Sequence, residues 1–293
     1  MRIVSLLPAA TEIVAALGAG SWLVGVSHEC DYPPDVVRGL PRITRTQIDN
    51  SHSPAEIDRA VRAAGAAATA IDAALLADLR PDVIVGQSVC DVCAVGEGQL
   101  SGALTRLPHQ PVVVTLHAHT LEEVFGDVAR VGAALDLAGE ADELVAGMRY
   151  RLRRISQSVS QHPTHDSRRT AVRPDSRRTV VIEWLDPPYV AGHWVPELVA
   201  IAGGADVGNV PGARSVTRTW AELRALDPDR IVIAECGFDV ARARRDLAAV
   251  RDDDALALFS RGVVFLDGNA YTSRPGPRLV DAAEQLARLL TTR

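Results

Sequence analysis

The sequence predicts an α/β protein of two Rossmann-like lobes, and three observations carry that expectation. Short apolar, β-branched runs recur immediately before turn residues: RIVSLL from Arg2, WLVGVS from Trp22, DVIVGQ from Asp82 and PVVVTL from Pro111. Helix-like stretches lie between them, at Thr11 to Leu17, Pro54 to Ala64 and Ile71 to Leu79. After a long helical region the strand pattern restarts, with TVVIEW from Thr179, RIVIAE from Arg230 and GVVFLD from Gly262. Strands alternating with helices read as βαβ units on a mainly parallel sheet, and the restart gives a second sheet.

The segment joining the two halves is helical by composition and spacing, over Leu121 to Leu135 and again over Glu140 to Val159, with Gly139 expected to break it. The expected boundaries are a lobe over 1–125, connecting helices over 126–159, a polar loop over 160–178 and a second lobe over 179–293. In the loop, SQHPTHDSRRTAVRPDSRRT repeats DSRRT from Asp166 and Asp175. Its scarcity of apolar residues leaves too little area to bury against the entropy of ordering it, so mobility is expected there.

Composition narrows the function. A chain of 293 residues, 47% apolar and carrying a net charge of -6, has the make-up of a globular protein. It lacks the basic face of a nucleic-acid binder. All 31 basic side chains are arginine, which excludes lysine Schiff-base chemistry and the lysine of a phosphate-binding loop. No apolar stretch reaches the ~20 residues of a membrane span, and Pro8, Thr11 and Glu12 interrupt the apolar N-terminus. Membrane insertion is therefore not expected, and with no signal peptide recognised a cytoplasmic location is.

Ligands of open α/β sheets bind beyond the carboxyl ends of the strands, so the residues there are the candidates. They are His28, Glu29 and Cys30 after the second strand, Gln87 to Val89 with Cys90, Asp91 and Cys93 after the next, and His117 and His119 after the fourth. The second half adds Glu183, Trp184, His193, Trp194, Cys236 and the run DGNAYTSRPGPR, with Tyr271 and Arg274, from Asp267. Cys90-x-x-Cys93 by itself reads equally as a metal clamp, a redox pair or a pocket wall. A redox pair opens a helix, whereas this one runs into two glycines. A structural zinc site needs four ligands, so this pair would have to recruit others from neighbouring loops.

The runs RIVSLLPAATEIVAALG, LVGVSHECDYPP, LRPDVIVGQ, EWLDPPYVAGHW, AGGADV, LDPDRIVIA and RPGPRLVD resemble, in that order, the cobalamin and iron-chelate solute-binding proteins of ABC importers, cobalamin branch. The similarity runs from Met1 to about Leu290, interrupted by the DSRRT loop and by an insertion around Thr46 to Ala70. It implies two lobes joined by one backbone helix, a ligand cleft between them, and a non-catalytic binder of cobalamin or a related corrinoid. Ligand contacts carried over by the resemblance are Glu29, Gln87, Ser88, Val89, His193, Trp194, Tyr271 and Arg274. Trp194 and Tyr271 would form the apolar platform and Arg274 would meet the polar rim. His28, Cys30, Cys90 and Cys93 are the expected metal-facing set, the three thiols lining the cleft wall. Ala74 and Ala200 fall where the family carries permease-docking glutamates, with Glu197 nearby, which counts against a permease partner. A siderophore or zinc binder using the Cys and His residues, and a thiol-dependent cofactor-processing enzyme, are the alternative readings.

Overall fold

The computed structural model describes residues 1–87, 97–161 and 176–291. The chain forms two compact units: Met1–Ala118 with Glu122–Ala146, and Gly147–Arg293 with the tripeptide His119–Leu121. Strands of the two halves belong to separate sheets.

Unit 1 carries β1 (Ile3–Ser5), β2 (Leu23–Val26), β3 (Thr44–Thr46), β4 (Thr69–Ile71), β5 (Val83–Gln87) and β6 (Val112–Leu116). Its main sheet has the order β2-β1-β5-β6 and is parallel throughout. Successive side chains of a strand point to opposite faces, and here both faces are buried. Ile3, Val83 and Val85 join a core with Ile13 and Val14 of the helix Pro8–Ala16. Their neighbours Val4 and Ile84 join a second core with Ile43 and Leu76. That double burial explains why these strands read as continuous apolar runs rather than alternating ones. At the centre of β2, a Cβ on Gly25 would lie 2.7 Å from Ile43 and 2.8 Å from Leu79, so only glycine admits that packing.

The insertion seen in the sequence folds as an antiparallel pair, β3 with β4, around the helix Pro54–Ala64. Ser53 and Glu56 close a capping box at its start, the Ser53 N–H donating to Glu56 at 2.9 Å. Ile71, expected to open a helix, ends β4 instead. The helix Ala73–Leu79 starts two residues later because Asp72 accepts the Leu75 N–H at 3.0 Å as its N-cap.

Unit 2 carries β7 (Arg177–Leu185), β8 (Pro188–Val190), β9 (Gly204–Asp206), β10 (Val216–Thr217), β11 (Arg230–Ile233) and β12 (Val263–Phe265). The order is β10-β8-β7-β11-β12, with β9 pairing the first residues of β7. β9, β7, β11 and β12 are parallel, and β8 and β10 antiparallel. Val180, Ile182, Ile231 and Ile233 fill one core, and Val181 and Val232, equally buried, face the other way.

The connecting helices run Leu121–Ala134 and Ala138–Gln161, and the boundary between the units falls inside the second. Gly139 does not break them; it lies in the first turn of the second helix. The break is Asp136, whose left-handed backbone (φ 58°) turns the chain. The two helices close on each other at Gly132, where a Cβ would fall 2.4 Å from Cβ of Ala141. The expected polar loop lies outside the described residues over 162–175.

Gly132→Val is expected to lower the stability of the protein by about 1–3 kcal/mol, the cost of overpacking a closed contact. Gly147→Ala, with nothing within 4 Å of its Cβ position, serves as the control. Urea unfolding of the two variants checks this, and equal midpoints would show that the helix pair can separate.

Candidate functional site

In unit 1 the turn after β2 is tied from behind. Arg42 donates to the carbonyls of Ser27 (3.2 Å) and Cys30 (2.7 Å). Thr44 accepts the His28 N–H at 3.0 Å and meets its Nδ1 at 2.7 Å. Thr44 Oγ1 carries one proton and a second lone pair, so it can meet Nδ1 of either tautomer of a neutral imidazole. Burial first, and Arg42 second, hold the His28 pKa below its usual value, in keeping with that neutral form. Glu29 at the tip of the turn is exposed.

Cys30, expected on a cleft wall, is a core residue, 1% exposed and packed with Ile13 and Val26. Its Sγ lies 3.1 Å from Thr11 Oγ1 and 3.2 Å from Ser27 Oγ. Burial pushes the thiol pKa up, so it is a protonated packing group rather than a thiolate ligand. Among the described residues no three His, Cys, Asp or Glu side chains are grouped to hold a metal ion. Gln87 ends β5 half-buried; Ser88, Val89, Cys90 and Cys93 lie outside the described residues.

The turn after β6 is built on Asp127, a fully buried carboxylate on the following helix. It accepts the N–H groups of His117 (3.1 Å) and Ala118 (3.0 Å) and pairs with Arg130. His117 itself is exposed. The next three residues pack in unit 2, where Glu197 accepts the Leu121 N–H at 2.7 Å. Glu197, near the position of a docking glutamate, thus has one oxygen engaged in holding this turn.

His119 meets His193 there, Nδ1 to Nδ1 at 2.9 Å. His193 has a left-handed backbone (φ 55°), uncommon for a residue with a side chain. Two backbone bonds impose it: the His193 N–H donates to the Ala213 carbonyl at 2.6 Å, and its carbonyl accepts from Gly212 at 2.9 Å. Gly192 before it has no room for a Cβ, which would stand 2.4 Å from the Ala213 carbonyl oxygen. The loop that does the holding is shaped by Asp206, which accepts from Gly208 (2.8 Å) and Asn209 (3.1 Å). Burial raises its pKa to about 6.

Trp194, expected to form an apolar platform, is 6% exposed, and its indole N–H donates to the Thr272 carbonyl at 2.9 Å, pinning the turn before the helix Val195–Ile201 to the turn after β12. Arg274, expected at a polar rim, is 3% exposed and donates to Asn269 at 2.8 Å. Tyr271 stays half-buried under the guanidinium of Arg278, 5.0 Å from its ring centre.

A half-exposed aromatic pair at this edge is Trp184, near the end of β7, stacked on Phe238 in the loop after β11, ring centres 5.5 Å apart and planes 24° from parallel. Arg242 covers Phe238 at 4.3 Å and is locked by Asp246 at 2.5 Å. Sequence reasoning singled out Trp184 as a strand-end residue and missed Phe238, whose signal was its position three residues after Glu235 in the same strand-end loop. Cys236 beside it is half-buried, its N–H donating to the Glu183 carbonyl at 2.9 Å. Beneath lies Glu235, fully buried, with neither carboxyl oxygen within hydrogen-bonding geometry of a described group. Burial, and then Asp246, raise its pKa to about 8, so the neutral acid is the form present at pH 7.

The profile of the periplasmic binding protein family matches residues 3–207. The chain belongs to that family. Periplasmic binding proteins bind solutes rather than transform them. This one is 24% identical to the vitamin B12-binding protein of Vibrio cholerae, over 99% of this chain and 88% of the relative. It is also 24% identical to the uncharacterized ABC transporter substrate-binding lipoprotein YvrC of Bacillus subtilis, over 98% of this chain and 78% of the relative. Among solved structures, the periplasmic heme-binding protein RhuT of Roseiflexus sp. RS-1 superposes with a TM-score of 0.69 at 20% identity, covering 99% of this chain and 97% of that one. The vitamin B12-binding protein BtuF of Vibrio cholerae gives 0.66 at 21%, covering 99% and 96%. These structures share the two-lobed α/β fold. No helix among the described residues is long and apolar enough to cross a membrane.

Glu235 gives a pH test. The folded chain holds its proton up to about pH 8, whereas the unfolded chain releases it near 4.5, so this residue costs stability increasingly from pH 4.5 to 8 and no further above that. Glu235→Gln removes the titration. Its stability relative to wild type is expected to rise with pH across that window, by on the order of a few kcal/mol, in urea unfolding at pH 5 and pH 8. A constant difference would show that Glu235 ionises normally in the fold.

Proposed function

We propose that this periplasmic binding protein carries a corrinoid, cobalamin or a close relative, to an ABC permease. The observation that supports the reading most is the end-to-end similarity to a vitamin B12-binding protein, which spans 99% of the chain rather than one motif. The chemistry at the carboxyl edge of unit 2 agrees with it. Trp184, half-exposed and stacked on Phe238, offers an apolar face for a macrocycle, with Phe238 braced in turn by Arg242, in the role the sequence had given to Trp194 and Tyr271. A heme is the second reading, favoured by the structural likeness to heme-binding proteins. A zinc or bare-metal reading has no support in the described residues. The relatives' names, periplasmic and lipoprotein, favour a location beyond the cytoplasmic membrane over the cytoplasmic one expected from the sequence, and favour a permease partner.

Spectral titration tests this directly. Cyanocobalamin added to the purified protein is expected to give a saturable one-to-one change in its visible bands, with hemin added separately as the comparison. Trp184→Ala and Phe238→Ala are each expected to weaken binding about ten-fold, the size of one aromatic stacking contact. Saturation by hemin and not by cyanocobalamin would move the assignment to heme; no saturable change with either would remove the tetrapyrrole reading.

A further inference from the structure

The bond between His119 and His193 can exist in only some protonation states. The ring centres are 5.0 Å apart and the Nδ1 atoms 2.9 Å. The difference is close to the sum of the two ring radii, so the rings meet nearly in line, as an N–H···N bond requires, and not face to face. One Nδ1 must carry a proton and the other a lone pair. In the neutral pair the donor ring therefore has a bare Nε2 and the acceptor ring carries its proton on Nε2. A first added proton goes to the bare Nε2 and leaves a charge-assisted bond, the stronger kind. A second must go to the accepting Nδ1, which then presents one N–H to another.

We infer that His119 and His193 form a two-proton latch, which holds the tripeptide His119–Leu121 in unit 2 until the second proton arrives and then lets it go. The turn is also held by the bond from the Leu121 N–H to Glu197, and Thr120 Cγ2 lies 3.2 Å from where a Cβ on Gly212 would stand. The strained backbone of His193 makes its side chain dependent on the Gly212 and Ala213 bonds that fix it.

The charged and titratable groups around the pair set where it opens. Burial first, then His119 and then Arg214 on the holding loop, disfavour a charge on His193. Glu197 faces the turn from the helix Val195–Ile201, and on the preceding side His117 is flanked by Arg130 and Asp127. The first proton leaves the latch closed; since His193 is held below the usual imidazole value of 6.5, the stability of the closed pair is present above 6.5 and is lost as pH falls through that lowered value, where the second proton enters.

The test follows the histidine rings by long-range ¹H–¹⁵N NMR on the full chain from pH 7.5 to 4.5, together with the hydrogen-exchange protection factor of the Leu121 amide. Protection is expected to fall at least ten-fold over the interval in which the second proton enters the pair. His193→Asn, which tolerates the left-handed backbone, is expected to fold and to lack the step. His119→Gln, at an ordinary backbone position, is the second variant with the same expectation. Glu197→Gln, which keeps an acceptor but does not titrate, is expected to retain the step. Flat protection while both rings titrate, a step that survives loss of either histidine, or a step that disappears with Glu197→Gln would each overturn the latch.

Discussion

Parallel pairing is the constraint on which the rest of this structure depends. Strands paired in parallel all run out of the sheet at one edge, so every turn that follows a strand is delivered there, however far apart the strands lie in sequence. In unit 1 this gathers the turns after β2, β5 and β6; in unit 2 it gathers those after β7, β11 and β12. The interior of each sheet is apolar on both faces, so the strands themselves offer little chemistry. Function is left to the edges.

Holding irregular turns there requires side chains that meet their backbone N–H and C=O groups, which cannot be left unsatisfied where water is excluded. Asp127 serves the turn after β6, Arg42 and Thr44 the turn after β2, and Asp206 the loop that constrains His193. Arg242 and Asp246 do the same for an aromatic, bracing Phe238 from behind. Trp194 and Arg274, which the sequence nominates as ligand contacts, also make bonds of this kind, to the Thr272 carbonyl and to Asn269. The surface presented outward is then set by their neighbours.

The apolar runs of β1, β2, β5, β7 and β11 were legible because strands buried on both faces leave an uninterrupted signal, and those of the more exposed β6 and β12 because they are runs rich in β-branched residues. β3, β4, β8, β9 and β10 were not, since each is two or three residues long and owes its state to a partner strand. The helix break at Asp136 was missed because a left-handed aspartate looks like any other aspartate, whereas Gly139 carries the more familiar signal. At the candidate site the limit was direction. Sequence places Cys30 and Trp194 in the correct loops, but it does not say that Cys30 turns inward to Thr11 or that the Trp194 indole reaches the Thr272 carbonyl. Those facts depend on residues 19 and 78 positions away. The family resemblance was legible because it rests on the order of many short runs, and it covers the same span as the curated relatives.

We propose that the solute of this periplasmic binding protein is a metal-bearing tetrapyrrole. Native mass spectrometry of the protein purified from its own source weighs whatever it carries, with no ligand chosen in advance. One adduct per chain is expected, with the mass and visible absorption of a corrinoid, heme being the nearest alternative. A protein that carries only a zinc ion, or a metal-free solute with no visible absorption, would contradict it.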